Sequence, residues 1–195
     1  MTATTTTSTT PPVLDGERAD LLAQLATVRA ALIATVRGLS DEQLGERPTA
    51  SELCLGGLVK HVASVEEAWM RFVVDGPSAM RFDLPEGVTW EDFMAGTARE
   101  YPQWAIDRQN DFRMLPGDTL ESILERYRAA AARTEEVVAA VEDLSTTHPM
   151  PEAPWSQPGE VRSVRRTLMH VIAETAQHAG HADILRETLD GQKST

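Results

Sequence analysis

The chain has 195 residues, with 18 Lys and Arg against 30 Asp and Glu and a formal net charge of −12. A chain of this length is expected to form one domain whose core needs no disulfide support. The acidic balance disfavours nucleic acid and anionic membrane surfaces as partners, because both attract proteins through Lys and Arg. Cys54 is the single cysteine, which excludes an internal disulfide and a cysteine-based zinc knuckle and fits a reducing compartment.

Residues 1–14 are predicted to form a disordered tail, because they are rich in Thr and continue into Pro11 and Pro12. The N-terminus lacks the basic-then-apolar order of a secretory signal. No stretch of the sequence approaches the roughly 20 consecutive apolar residues of a membrane span. We therefore expect a cytoplasmic protein with one domain over residues 15–191, with neither a membrane nor a nucleic acid as partner.

Four long segments repeat apolar residues at spacings of three and four, the pattern of an amphipathic helix. The four predicted helices cover about residues 15–39, 51–74, 118–144 and 163–190. Capping-box sequences at Ser40–Gln43 and Asp118–Glu121 indicate helix starts, and Gly191 is placed to end the last helix. No segment shows the sustained alternation of a strand, so a sheet is not expected. Four stripes of similar length predict an all-α four-helix bundle.

Two connections between the predicted helices are unusual. The connection between the second and third helices, from Asp75 to Gly117, is far longer than an antiparallel helix pair needs, so we expect it to carry short helices. The connection from Ser145 to Arg162 is rich in proline and is expected to form a stiff loop over one end of the bundle. Both connections carry tryptophan, and we expect them to form a substrate pocket.

The fourth predicted helix interrupts its apolar stripe with ionisable side chains. His178 occupies a stripe position between Thr175 and Ala182, with Glu174 one turn earlier and His170 one turn before that. Steps of four residues advance by only 40° around a helix, so His170, Glu174 and His178 form one ridge. A carboxylate that faces a bundle core is costly unless it is paired or bound to a metal.

The second predicted helix carries a matching irregularity at His61, beside its apolar stripe. His61 and Glu174 occupy flank positions that can converge between neighbouring helices, as metal ligands do in helix bundles. Two imidazoles and one carboxylate suit zinc, nickel or ferrous iron better than magnesium or calcium. The prediction is one divalent ion held by His61, Glu174 and His178, with an open coordination position as in catalytic sites. No catalytic residue beyond these ligands is assigned.

The same side chains allow interpretations without a metal, and the sequence leaves them open. Glu174 and His178 could form a surface ion pair, or the cluster could be a hydrogen-bonded polar network. We interpret His170 and His181 as neighbours of the site or as solvent-facing residues rather than as ligands. His148, in the proline-rich connection, is a weak candidate for the mouth of the site. Cys54 is interpreted as a small buried side chain, and Gly56-Gly57 as an allowance for close helix approach.

At His61 and at the pair Glu174-x-x-x-His178 the sequence resembles the DinB/YfiT-like superfamily of metal-binding four-helix bundles. The stretch Gly56–His61 is similar to the second helix of that family, and His178–His181 to its fourth. Many members present three histidines. With a glutamate at the middle position, this chain is similar to the metal site of the mycothiol-dependent maleylpyruvate isomerase N-terminal domain. The resemblance covers residues 15–191.

The resemblance implies a zinc or nickel ion that activates a low-molecular-weight thiol, such as mycothiol or bacillithiol, toward a small electrophile. A thiol S-transferase is the first hypothesis. The second is a non-catalytic metal-binding bundle that acts as a binding or stress-response module. The sequence stops after the fourth predicted helix, without the second domain of the isomerase, so isomerase activity itself is not expected. Members are often homodimers, and the sequence leaves the oligomeric state open.

Overall fold

A computed structural model describes residues 15–193, which fold mainly as α-helix and confirm the predicted all-α class. None of the described helices is both long and apolar enough to cross a membrane. The predicted Thr-rich tail, residues 1–14, lies outside the described residues. The helices are α1 (Gly16–Thr35), α2 (Asp41–Gly45), α3 (Leu55–Asp75), α4 (Trp90–Ala95), α5 (Gln103–Asp111), α6 (Leu120–Ala140) and α7 (Val164–Asp190).

The sequence predicts three helix ends from capping residues, and the structure confirms two of them. Ser40 and Gln43 form the predicted capping box, which begins the short α2. Gly191 ends α7 in the left-handed conformation, with φ of 78°, as predicted. The predicted cap of α6 is wrong by one residue, because Thr119 caps this helix. Asp118 instead pairs with Lys60.

The long connection between α3 and α6 carries α4, α5 and a short 3-10 helix, Gly76–Ala79, as its length predicts. A small sheet, which the sequence does not predict, lies in the proline-rich connection. Its strands β1 (Thr147–Pro149) and β2 (Val161–Ser163) pair antiparallel, with Thr147 opposite Ser163. Three residues per strand are too few for a visible period-2 pattern, which explains why the sequence does not reveal the sheet.

The four long helices pack through two clusters of buried apolar side chains. Helix α1 packs along α7, and α3 packs against both α6 and α7. One cluster includes Leu32, Val62 and Ile123, and the other includes Leu25 and Val138. The packing of α3 against α7 is what brings His61 toward Glu174 and His178.

A buried ion pair lies between these two clusters. Glu66 on α3 is 0% exposed, and Arg29 on α1 is 6% exposed. The guanidinium of Arg29 donates two hydrogen bonds to the Glu66 carboxylate, one of them from Nε at 3.1 Å. Thr134 on α6 donates a further hydrogen bond to the same carboxylate. The pair therefore joins three helices, and the carboxylate is compensated although it is withdrawn from water.

Replacing Glu66 by alanine is expected to lower the free energy of unfolding by about 3–5 kcal/mol, because Arg29 would remain buried without its partner. Urea denaturation followed by circular dichroism measures this loss. The matched control is Glu136→Ala, which removes an exposed partner of Arg133 and should change stability by less than about 1 kcal/mol. Equal effects of the two substitutions would contradict the role assigned to the buried pair.

Candidate metal centre

The structure brings together the three side chains that the sequence selects as metal ligands. His61 lies in the second turn of α3 and is 1% exposed, while Glu174 and His178 lie one turn apart on α7. One potential ligand atom from each residue falls in a group whose members all lie within 4.8 Å of one another. His61 precedes Glu174 by 113 positions along the chain, so only the packing of α3 on α7 brings it to the pair on α7.

The distances at Glu174 fit the dimensions of a divalent metal site. Its Oε1 atom lies 3.5 Å from Nε2 of His61 and 3.4 Å from Nε2 of His178. Bonds of about 2.0–2.1 Å to a tetrahedral zinc ion place two ligand atoms about 3.4 Å apart. The two contacts are also longer than the usual 2.9–3.0 Å of a direct N–H···O hydrogen bond. The donor set and the two distances at Glu174 therefore fit an ion such as zinc.

His61 is a buried imidazole whose polar atoms are not compensated by the protein. Within residues 15–193, neither of its ring nitrogens has a hydrogen-bond partner. The ring instead stacks on Phe112, with centroids 3.9 Å apart and planes inclined by 24°. Burial lowers the pKa of His61, which favours the neutral imidazole. A neutral ring with a free nitrogen lone pair is the form that binds metal ions.

Glu174 supplies the negative charge of the cluster and also its most exposed side chain. Contacts with His178 and His61 hold the pKa of the Glu174 carboxyl far below its ordinary value, so this group is ionised at neutral pH. Its side chain is 22% exposed, against 1% for His61 and 11% for His178. Small molecules would therefore reach the cluster from the side of Glu174.

The wall behind His61 is built by the chain segment 110–118, which sequence reasoning did not assign to the site. A Cβ atom on Gly57 would lie 2.2 Å from the carbonyl oxygen of Phe112, so only glycine allows this segment to approach α3. Lys60 fixes the segment by donating a hydrogen bond of 2.8 Å to the Arg113 carbonyl and by pairing with Asp118. The glycine pair was expected to admit a neighbouring helix, but Gly57 admits a loop.

One sequence feature could have indicated this wall: a lysine lies inside α3, directly before His61. Lys60 is 7% exposed, and a buried ammonium group needs several acceptors nearby. The sequence shows the lysine but does not show which distant carbonyl groups surround it. Phe112 carries no comparable signal, because its role depends on the path of the loop.

The remaining histidines lie at different distances from the cluster. Nδ1 of His181 lies 3.3 Å from Nδ1 of His178, so His181 borders the site. His170 packs edge-on against Trp69, with ring centroids 5.0 Å apart. His148 contacts the Val73 carbonyl at 3.1 Å, twelve residues from His61 and so about 18 Å farther along α3. The proposal of His148 as part of the mouth is therefore wrong.

The tryptophans of the two long connections meet, but not around the candidate ligands. Trp90, Trp104 and Trp155 pack against one another, and the last two also pack against Phe82. A neighbouring cavity of about 740 Å³ is lined by Phe82, Trp90 and the segment 151–154, among others, and by none of the three candidate ligands. Pro77, which also lines this cavity, follows the C-terminal end of α3, whereas His61 lies near the N-terminal end of the same helix. The expected tryptophan pocket therefore forms away from the metal centre.

Replacing Gly57 by alanine is expected to lower the free energy of unfolding by about 1–3 kcal/mol, because the new methyl group would overlap the backbone of Phe112. It should also shift the NMR signals of the His61 ring, since the aromatic ring stacked on it would move. The control is Gly180→Ala in α7, where a Cβ atom would meet no described heavy atom within 4 Å apart from its chain neighbours and the nearby backbone of its own helix. This change should be neutral or stabilise by about 0.5–1 kcal/mol. A stable Gly57→Ala protein with unchanged His61 signals would contradict the assignment.

Comparison with known protein families agrees with the resemblance seen in the sequence. The profile of one family, described as mycothiol-S-transferase, matches residues 20–191. No curated protein matches the chain. The matched range includes His61, Glu174 and His178, and the family is DinB/YfiT-like. The match spans well over half of the sequence, and the chain therefore belongs to the mycothiol S-transferase family.

Proposed function

We propose that this protein is a metal-dependent S-transferase that joins a low-molecular-weight thiol of the mycothiol type to a small electrophile. The observation that carries the proposal is the convergence of His61, Glu174 and His178, with ligand atoms within 4.8 Å, in a chain of the mycothiol S-transferase family. The proposed architecture is a single DinB-like four-helix bundle over residues 15–191, formed by α1, α3, α6 and α7.

His61, Glu174 and His178 would hold one divalent ion, with zinc or nickel as the metals that this donor set favours. A bound ion of this kind lowers the pKa of a coordinated thiol, which supplies thiolate at neutral pH. Three protein ligands leave room for a further ligand, as catalytic sites require. The proposed partners are therefore a small thiol and a small electrophile.

The side chains around the site would hold the metal ligands in position and keep water away from the His61 ring. Burial and the stacked ring of Phe112 hold His61 neutral and in one orientation. The ionised Glu174 provides the single negative charge of the ligand set. Its partly exposed side faces the direction from which both substrates would arrive.

The transfer forms a bond between the thiol sulfur and an electrophilic carbon of the second substrate. The bond from that carbon to its leaving group breaks, and the leaving group departs with the electron pair. The thiol proton is released to solvent. Substrate oxidation is not involved, so an external redox partner is not needed.

Metal content is the first test of the proposed ligands. The protein purified without a histidine tag should carry about one equivalent of zinc or nickel, and His61→Ala and His178→Ala should each reduce this at least tenfold. His170→Gln is the matched control, because His170 lies on the same helix but packs against Trp69; its metal content should not change. Mass spectrometry with elemental detection measures all four proteins. A wild-type protein that neither contains nor takes up metal would overturn the proposed site.

Removal of the metal is expected to lower the melting temperature, because a ligand that binds only the native state stabilises it. Free zinc at 100 times its dissociation constant contributes about 2.7 kcal/mol, which corresponds to about 5–10 °C for a chain of this size. Calorimetry before and after chelation, and after zinc is returned, measures the shift. In Glu174→Gln the same cycle should move the melting temperature much less. Equal shifts in both proteins would show that zinc acts elsewhere.

Activity separates the transferase from a metal-binding module without catalysis. The metal-loaded protein should consume mycothiol in the presence of an alkyl bromide at a rate well above the uncatalysed reaction, and His178→Ala should remove this excess. A metal-loaded protein with no excess rate over a panel of thiols and electrophiles would favour the non-catalytic module.

A further inference from the structure

His181 lies one turn after His178 on α7, and the two side chains meet through their ring nitrogens. Nδ1 of His181 is 3.3 Å from Nδ1 of His178. The ring centroids are 5.3 Å apart and the planes are inclined by 67°. On its other side, His178 directs Nε2 to Oε1 of Glu174 at 3.4 Å. Both nitrogens of His178 therefore have defined neighbours.

This arrangement sets the tautomer of His178 when its Nε2 atom binds a metal ion. A hydrogen bond between two imidazole nitrogens needs one that carries a proton and one that accepts it. If Nε2 of His178 provides its lone pair to a metal ion, the ring proton resides on Nδ1 and is donated to Nδ1 of His181. His181 then carries its own proton on Nε2. With Nε2 of His178 facing Glu174 as a metal ligand, only this arrangement of protons forms the hydrogen bond between the two neutral rings.

The two candidate imidazole ligands are held by different means. His61 is oriented by burial and by its stack on Phe112, and within residues 15–193 its Nδ1 atom makes no hydrogen bond. His178 lacks so close a stack, since its ring centroid lies 6.1 Å from that of Phe112. A hydrogen bond to the nitrogen that does not bind the metal is the usual means of orienting a histidine ligand.

We infer that His181 is a positioning residue, which accepts a hydrogen bond from Nδ1 of His178 and thereby fixes its ring and tautomer for metal binding through Nε2. The inference rests on the proposed function, because it concerns the same metal site. His181 acts through His178 and does not itself touch the ion. Loss of the acceptor leaves His178 free to rotate and to protonate the wrong nitrogen, which weakens metal binding about 10–100-fold.

The test compares zinc affinity in three variants of the full chain by competition with a chromophoric chelator. His181→Ala removes the acceptor and should weaken zinc binding about 10–100-fold. His181→Asn places a side-chain oxygen where Nδ1 stood and should recover most of the loss. Gln177→Ala, an exposed neighbour on the same helix, is the matched control and should bind zinc like wild type. Circular dichroism of the metal-free proteins shows whether each variant folds.

A second measurement reports the proton position directly. In zinc-loaded protein labelled with ¹⁵N-histidine, the ring signals of His178 should show a protonated Nδ1 and a metal-bound Nε2. In His181→Ala these signals should change to a mixture of ring states, and in His181→Asn they should return toward those of wild type. A purely structural role of His181 would not produce this recovery.

Three outcomes would overturn the inference. Wild-type affinity in His181→Ala would show that the contact has no part in metal binding. Affinity lost to the same extent in the alanine and asparagine variants would identify His181 as a ligand or as a packing residue. A wild-type protein that binds no zinc would overturn the proposed function as well, whereas the first two outcomes leave the site of His61, Glu174 and His178 in place.

Discussion

The organisation of this protein depends on the burial of an imidazole between α3 and α7. Packing of these helices withdraws His61 from water, although the described protein residues offer no hydrogen bond to either of its ring nitrogens. Such burial costs free energy unless another group compensates it. The carboxylate oxygen Oε1 of Glu174 lies 3.5 Å from Nε2 of His61, which is too far for a good hydrogen bond and suitable for a shared ion. The same packing that builds the core therefore places an imidazole nitrogen opposite a carboxylate oxygen, a pair of donors that suits a divalent ion.

Two carboxylates of the helical core, Glu66 and Glu174, differ in how closely other side chains compensate their charge. At Glu66, one guanidinium and one hydroxyl group donate directly to the carboxylate. At Glu174, two imidazoles approach the carboxylate without forming a comparably tight set of bonds. The first cluster is complete by itself and joins three helices. The second has unsatisfied donor atoms and an exposed side, which are properties of a binding site rather than of a structural pair.

The loop before α6 connects the fold to the chemistry of the centre. Gly57 allows the backbone at Phe112 to lie directly on α3, and Lys60 holds the neighbouring carbonyl group of Arg113. The aromatic ring of Phe112 then covers one face of His61. Two adjacent turns of α3 thus provide the glycine that admits the loop, the lysine that binds it and the imidazole that its aromatic ring covers. Support for His178 comes from its own helix through His181, so the two imidazoles have independent means of orientation.

The sequence by itself determined the helical class and the three candidate ligands, because a 3.6-residue period reveals polar residues that interrupt an apolar stripe, as His178 does, or that flank one, as His61 and Glu174 do. Glu174 and His178 could be paired from their spacing of four on a single helix. Only the tertiary structure decided that His61 faces them, that Phe112 covers its ring and that His148 lies at the far end of α3. These relations join residues far apart along the chain, and they depend on how helices and loops pack rather than on any local period. The tryptophan-bearing connections illustrate the same limit, since the sequence predicted that they form a substrate pocket, whereas their cavity lies away from the candidate metal centre.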